Sequence, residues 1–206
     1  MTIIRILPEI LANKIAAGEV VQRPSFVVKE LIENSLDAGS TSISVEIEKG
    51  GKSLIRVSDN GCGLLRDDAL LSIERYATSK LFTQQDLFSI STMGFRGEAL
   101  PSIASVSKFT LVTRTKKSDI GTKIDIVGGK IRDVSDAGAP VGTMVEVKNL
   151  FFNTPARKKF LKSDNTETSH IADMISGMAL GNSHIQFRLF LNKNLTKNFS
   201  LSDDLF

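Results

Sequence analysis

Lys29-Glu30-Leu31-Ile32-Glu33-Asn34-Ser35-Leu36-Asp37-Ala38-Gly39 decides how this chain is read, because it loads one side of a helix with acids and an amide and leaves the other side apolar. At about 100° per residue, Glu30, Glu33, Asn34 and Asp37 share roughly a third of the circumference, while Val27, Val28, Leu31, Ile32 and Leu36 fill the opposite side. Like charges so placed repel by about 0.2–0.5 kcal/mol per pair. The face therefore invites a cation or a ligand, with a solvated polar surface as the alternative. Asn34 lies one turn beyond Glu30, so both side chains reach one small volume. Mg²⁺ prefers hard oxygens and keeps several waters, so the Asn34 amide oxygen with phosphate oxygens is a suitable set. Glu30, beside such a metal but not bound to it, is placed to orient or deprotonate a water attacking a terminal phosphate.

Two alternating runs follow that helix: Ile43, Val45, Ile47, then Ile55, Val57, Asp59, separated by Glu48-Lys49-Gly50-Gly51-Lys52. Period-two burial on both sides of a glycine turn predicts a hairpin. Asp59 continues the inward face of its strand, an unusual place for a carboxylate. In Asp59-Asn60-Gly61-Cys62-Gly63 that carboxylate is suited to accept from the exocyclic amine of adenine, whereas guanine presents a carbonyl there and is repelled. Gly61 and Gly63 would let backbone approach the base or ribose. Asp-Asn-Gly is also a common turn signal, and the inward position is what favours the site reading. Further on, Gly94-Phe95-Arg96-Gly97-Glu98-Ala99-Leu100 joins a long irregular stretch to a helix start, where free amides bind phosphate oxygens. No P-loop is present: Gly51-Lys52-Ser53 imitates its end but lacks the earlier glycine.

The rest of the chain supplies the frame. An extended arm leads to a helix opened by Pro8 and closed near Gly18, and Pro24 introduces the acidic helix. A helix is expected over 67–77, a ligand-ordered lid over 78–97, and a helix from about Glu98 with Pro101 in its first turns. Strands are expected over 109–115, 122–127, 130–134, 143–147 and 185–191, with helices over 155–162 and 166–180.

With 206 residues the chain can bury a sizeable core. One cysteine, Cys62, excludes an internal disulfide framework, and with only His170 and His184 as imidazoles a structural zinc site is disfavoured. Cys62 reads as a small turn residue, and no serine-histidine-acid triad can be argued. No apolar run is long enough to span a membrane and the start lacks a signal peptide, so a cytoplasmic protein without membrane contact is expected. A net charge of +3 permits weak contact with DNA without demanding it. Arg157-Lys158-Lys159 with Lys162 is the basic cluster that would make it, or else a solvated helix end.

Taken together these residues resemble the N-terminal ATPase region of the MutL DNA mismatch-repair family, within the wider class of gyrase, heat-shock chaperone and histidine-kinase ATPases. Shared with the class are residues 30–37, 59–63 and Gly142-Thr143. Particular to the MutL branch are the stretches 11–20, Ala77-Thr78-Ser79-Lys80, 94–100 and Phe152-Asn153-Thr154-Pro155-Ala156-Arg157. The resemblance implies an α+β fold, a mixed, mainly antiparallel sheet covered by helices on one face, with an ATP lid. It implies that Glu30 is the catalytic base, that Asn34 binds Mg²⁺, and that Asp59 reads adenine. It implies further ATP contacts from Asn34, Asp37, Gly61, Gly63, Thr78, Ser79, Lys80, Arg96, Gly97, Glu98, Ala99, Leu100 and Thr143.

The resemblance also sets the domain plan: residues 1–20 as a dimer-exchanging arm and first helix, 21–193 as the ATP-binding domain, and 194–206 as the start of a linker or strand toward a second domain. It implies ATP-driven self-association through the arm, which couples a MutS-type mismatch-recognition protein to a downstream nuclease or helicase. Slow hydrolysis is expected, weak or absent in this chain by itself, because relatives use a lysine from the second domain. Pro101 departs from the small helix former of relatives, with little functional effect expected. The alternative is a nucleotide-sensing or DNA-binding scaffold that does not hydrolyse.

Overall fold

The computed structural model describes residues 21–75, 77 and 97–201. Pro24 opens helix α1 (Pro24–Asp37) at the position where a missing N–H costs nothing. Val27, Val28, Leu31 and Ile32 on its apolar side are at most 3 % exposed. The alternating runs form β1 (Ser42–Glu48) and β2 (Leu54–Asp59), an antiparallel pair with Val45 opposite Val57 and Ile43 opposite Asp59. A short 3₁₀ turn, Lys49–Gly51, joins them. Helix α2 (Arg66–Leu71) is shorter than the expected 67–77, with Asp67 and Asp68 in its first turn. Helix α3 (Ala99–Ser105) carries Pro101 in its opening turn. Then come β3 (Lys108–Arg114), β4 (Gly121–Val127), β5 (Lys130–Ala137) and β6 (Gly142–Lys148). Helices α4 (Pro155–Phe160) and α5 (Asp164–Gly181) precede β7 (Gln186–Leu191) and β8 (Asn194–Phe199).

The eight strands form one sheet in the order β5-β4-β3-β6-β2-β1-β7-β8. Among the described residues only β1 and β7 run parallel; every other neighbouring pair is antiparallel. The expected mixed, mainly antiparallel sheet is thus observed. Residues 194–199, expected to open a linker or a strand toward another domain, form an edge strand of this sheet, paired with β7. One face of the sheet is apolar, from Ile126 and Leu111 across Val145 and Val57 to Val45 and Leu189, all at most 7 % exposed. Helices α1, α3 and α5 pack on the sheet, with α1 also against α5. Among the described residues, no helix is long and apolar enough to cross a membrane.

The opposite face is polar, and the register lines up Glu46, Arg56, Glu146, Thr110 and Asp125 across five strands. Arg56 donates to Glu46 at 2.5 Å and to Glu146 through Nε at 3.0 Å and through Nη2; Lys148 pairs with Glu146 at 2.5 Å. Burial opposes ionisation of Glu146, but the hydrogen bonds of Lys148 and Arg56, with the Arg56 charge, outweigh it and hold the carboxyl below its ordinary value. Stability from this group is therefore complete above the unfolded glutamate pKa and lost as pH falls through the lower folded value. Arg56→Gln is expected to cost about 1 kcal/mol at neutral pH, after allowance for solvent screening, and to flatten the acid side of a melting-temperature profile. An unchanged acid slope in that variant would show that Glu146 owes nothing to Arg56.

Candidate nucleotide site

Asp59 ends β2, and its carboxylate collects three donors from three parts of the chain. Oδ2 accepts from Ser35 Oγ of α1 at 2.8 Å. Oδ1 accepts from the Gly61 amide at 2.9 Å and from the Thr143 amide at the start of β6 at 3.2 Å. A carboxylate offers about four acceptor positions, so one remains for a donor outside this set. The helix, the turn after β2 and β6 thus converge on the aspartate that the sequence places inward.

Local connections hold this junction. Ser40 Oγ donates to the Ser35 carbonyl at 2.6 Å, and the Cys62 amide donates to the Ala38 carbonyl at 3.0 Å, so the turn is laced to the end of α1. Asn60 faces the other way: its Oδ1 accepts from the Thr41 and Ser42 amides, both at 2.9 Å, closing the α1–β1 connection. Gly142 has φ +122°, and a Cβ there would lie 2.1 Å from the Asp59 carbonyl oxygen. Only glycine allows the backbone approach that brings the Thr143 amide to Asp59. Gly63, at φ +68°, similarly lies against the Arg114 carbonyl.

On α1, Glu30 and Asn34 are half-buried one turn apart, and Asn34 immediately precedes the Ser35 that touches Asp59. Glu33 corrects the reading of a single acidic face. It is 6 % exposed and its charge is met by Lys29 at 2.6 Å, an i,i+4 pair. Asp37 is exposed at the end of the helix. Gly97, Glu98, Ala99 and Leu100 lead into α3, whose N-cap residue Glu98 offers no side-chain cap. Thr78, Ser79, Lys80, Arg96, most of the expected lid and the 1–20 arm lie outside the described residues.

Among the described residues no group of three or more His, Cys, Asp or Glu side chains is arranged for a metal. A divalent ion at Asn34 would thus depend on one amide oxygen and on oxygens of a phosphate ligand, a donor set that suits Mg²⁺ and no protein-only cage. Two surface depressions lie apart from these residues. One of about 240 Å³ lies on the polar sheet face between Glu46, Arg56 and Phe190. The other, of about 400 Å³, lies between Ile73, Pro101 and Ile131. Cys62, His170 and His184 are exposed, as are Lys158, Lys159 and Lys162 of the basic cluster.

Ser35 and Thr113 escaped the sequence reading. Each is a hydroxyl at a position the apolar pattern reserves for the core: Ser35 aligns with Val28 and Leu31, and Thr113 continues Phe109 and Leu111. A polar residue on an otherwise apolar stripe was the available signal.

Residues 22–140 match the family described as histidine kinase-, DNA gyrase B-, and HSP90-like ATPase. The DNA mismatch repair protein MutL of Geotalea daltonii is 57% identical over 204 residues, which is 99% of this chain and 34% of that protein. MutL of Geobacter sulfurreducens is 62% identical over 184 residues, 89% of this chain and 30% of that protein. The chain thus spans about a third of the length of these relatives. Among solved structures, the Aquifex aeolicus MutL ATPase domain complexed with ADP superposes with a TM-score of 0.71 at 40% identity, covering 89% of this chain and 66% of that one. The N-terminal domain of a DNA repair protein superposes with a TM-score of 0.77 at 28% identity, covering 92% of this chain and 56% of that one.

Proposed function

Because this chain belongs to the histidine kinase-, DNA gyrase B- and HSP90-like ATPase family, we propose that the junction of α1, β2 and β6 is an adenine-nucleotide site and the chain the ATPase module of a MutL-type mismatch-repair protein. The observation that carries this reading is the Asp59 carboxylate, oriented by Ser35, Gly61 and Thr143 with acceptor capacity to spare. In this reading Asp59 accepts from the adenine amine, and the Gly61–Gly63 backbone lies along the base or ribose. Asn34 supplies an oxygen to magnesium, and Glu30 orients the water that attacks the terminal phosphate. Magnesium, when bound, neutralises charge that builds on the phosphate oxygens. Residues 97–100 at the start of α3, with Thr78, Ser79, Lys80 and Arg96, hold the phosphates. Asp37, at the exposed end of α1, belongs to the outer edge of the site.

The wider role follows the same relatives. ATP binding drives self-association through residues 1–20, and the dimer passes mismatch recognition by a MutS-type protein to a nuclease or helicase, with weak DNA contact through Arg157–Lys162. Hydrolysis is slow in this chain by itself. The test is calorimetric titration with Mg²⁺ and a non-hydrolysable ATP analogue. Saturable binding is expected, with GTP failing to compete, and Asp59→Asn is expected to weaken binding at least about tenfold by turning an acceptor into a donor. Equal competition by GTP would refute the role given to Asp59.

A further inference from the structure

We propose that Thr113, which is 1 % exposed and lies behind Asp59 and Thr143, is a positioning residue for adenine recognition. The proposal rests on the nucleotide reading above and adds to it the group that aligns the base-reading residues.

Thr113 faces Thr143 across the β3–β6 pairing. Its hydroxyl meets three groups: the Leu64 amide, which donates to it at 2.8 Å, the Gly142 carbonyl at 3.1 Å, and Thr143 Oγ1 at 3.0 Å. A hydroxyl has one proton and two lone pairs, so with Leu64 occupying one lone pair only two arrangements remain. Thr113 donates to Gly142 and accepts from Thr143, or it donates to Thr143 and frees the Thr143 proton. Either way Thr143 Oγ1 is held in place, while its amide is tied to Asp59. The bond from Leu64 anchors the far end of the Asp59–Gly63 turn. Thus the turn and the start of β6, the two backbone segments flanking Asp59, are fastened to one buried hydroxyl.

The two proton arrangements bear on selectivity. Adenine presents an amine donor beside a ring-nitrogen acceptor, and guanine presents a carbonyl beside an N–H. Asp59 supplies the acceptor for the amine. The arrangement in which Thr113 donates to Thr143 leaves the Thr143 hydroxyl proton available for the ring nitrogen, the complement of adenine and a mismatch for guanine. Thr113 therefore contributes to discrimination without touching the nucleotide.

The test compares Thr113→Val, which keeps the shape and removes the hydroxyl, with Thr113→Ser, which keeps the hydroxyl, by titrating each with Mg²⁺ and a non-hydrolysable ATP analogue and by competition with GTP. Thr113→Val is expected to bind the analogue about tenfold more weakly and to narrow the preference over GTP, with Thr113→Ser within about twofold of the parent chain. A valine variant that binds with unchanged affinity and preference would overturn the proposal, as would equal losses in both variants, which would trace to packing. If the valine variant shows no cooperative melting transition, the serine variant decides: parent-like binding and preference support the hydroxyl's role, and about tenfold weaker binding by a normally melting serine variant overturns it. Failure of the parent chain to bind the analogue defeats the nucleotide reading itself, a result separate from any difference between Thr113 variants.

Discussion

Glu30→Ala is expected to lower ATP hydrolysis by about 10²–10⁴-fold, the usual contribution of a positioned base, while Mg-ATP binding stays within a few-fold. Glu30 sits half-buried one turn before Asn34, on the helix that Ser35 fastens to Asp59 at 2.8 Å. It is not among the groups that donate to Asp59. Removing it deletes the group proposed to steer the water and leaves the Ser35, Gly61 and Thr143 bonds to Asp59 intact. Single-turnover phosphate release in the full-length protein, alongside calorimetric binding, checks both halves of the expectation. Unchanged hydrolysis would defeat the assignment of Glu30. A full-length parent protein that binds ATP and never releases phosphate would instead favour a nucleotide-sensing scaffold.

The second large effect is expected at Gly142. An added Cβ would meet the Asp59 carbonyl oxygen at 2.1 Å and the Asn60 Cα at 2.9 Å, and both neighbours are backbone that cannot swing aside. The φ of +122° adds strain of about 1–3 kcal/mol for a side-chain-bearing residue. Gly142→Ala must therefore push β6 away from the end of β2, which breaks the Thr143–Asp59 and Thr113–Gly142 hydrogen bonds together. A loss of about 3 kcal/mol or more in urea denaturation is expected, with nucleotide binding abolished in whatever fraction stays folded. Gly138→Ala, where nothing lies within 4 Å of the added carbon, serves as the control and should change neither quantity. Parent-like stability and binding in Gly142→Ala would mean that the close approach of β6 to Asp59 is not needed.

Much of the frame was legible because burial imposes a period. The alternation of Ile43, Val45 and Ile47 against Ile55 and Val57 set both the hairpin and its pairing, and Pro24 and Gly39 marked the ends of α1. Strand β8 was not legible as part of the sheet: its Asn194, Thr196 and Asn198 are exposed and carry no apolar alternation strong enough to show that it pairs with β7. Helix α2 ends earlier than the pattern suggests. Asp59 was conspicuous as a charge on an inward face, whereas Ser35 and Thr113 gave only the weaker signal of one hydroxyl within an apolar stripe, which has no spacing rule. Glu33 was misread as part of a common acidic face although Lys29 stands at the i,i+4 distance that neutralises it. The roles of Glu30 and Asn34 draw on their spacing together with the family resemblance.

The parallel seam between β1 and β7 bears on biosynthesis. Strand β1 is translated early, but its second neighbour comes from residues 186–191, and α1 also leans on the late helix α5. A nascent chain still lacking those residues can pair β1 with β2 on one side but leaves its other edge open, and an open strand edge favours edge-to-edge aggregation. The β1–β7 seam therefore cannot close until the chain has been made through residue 191.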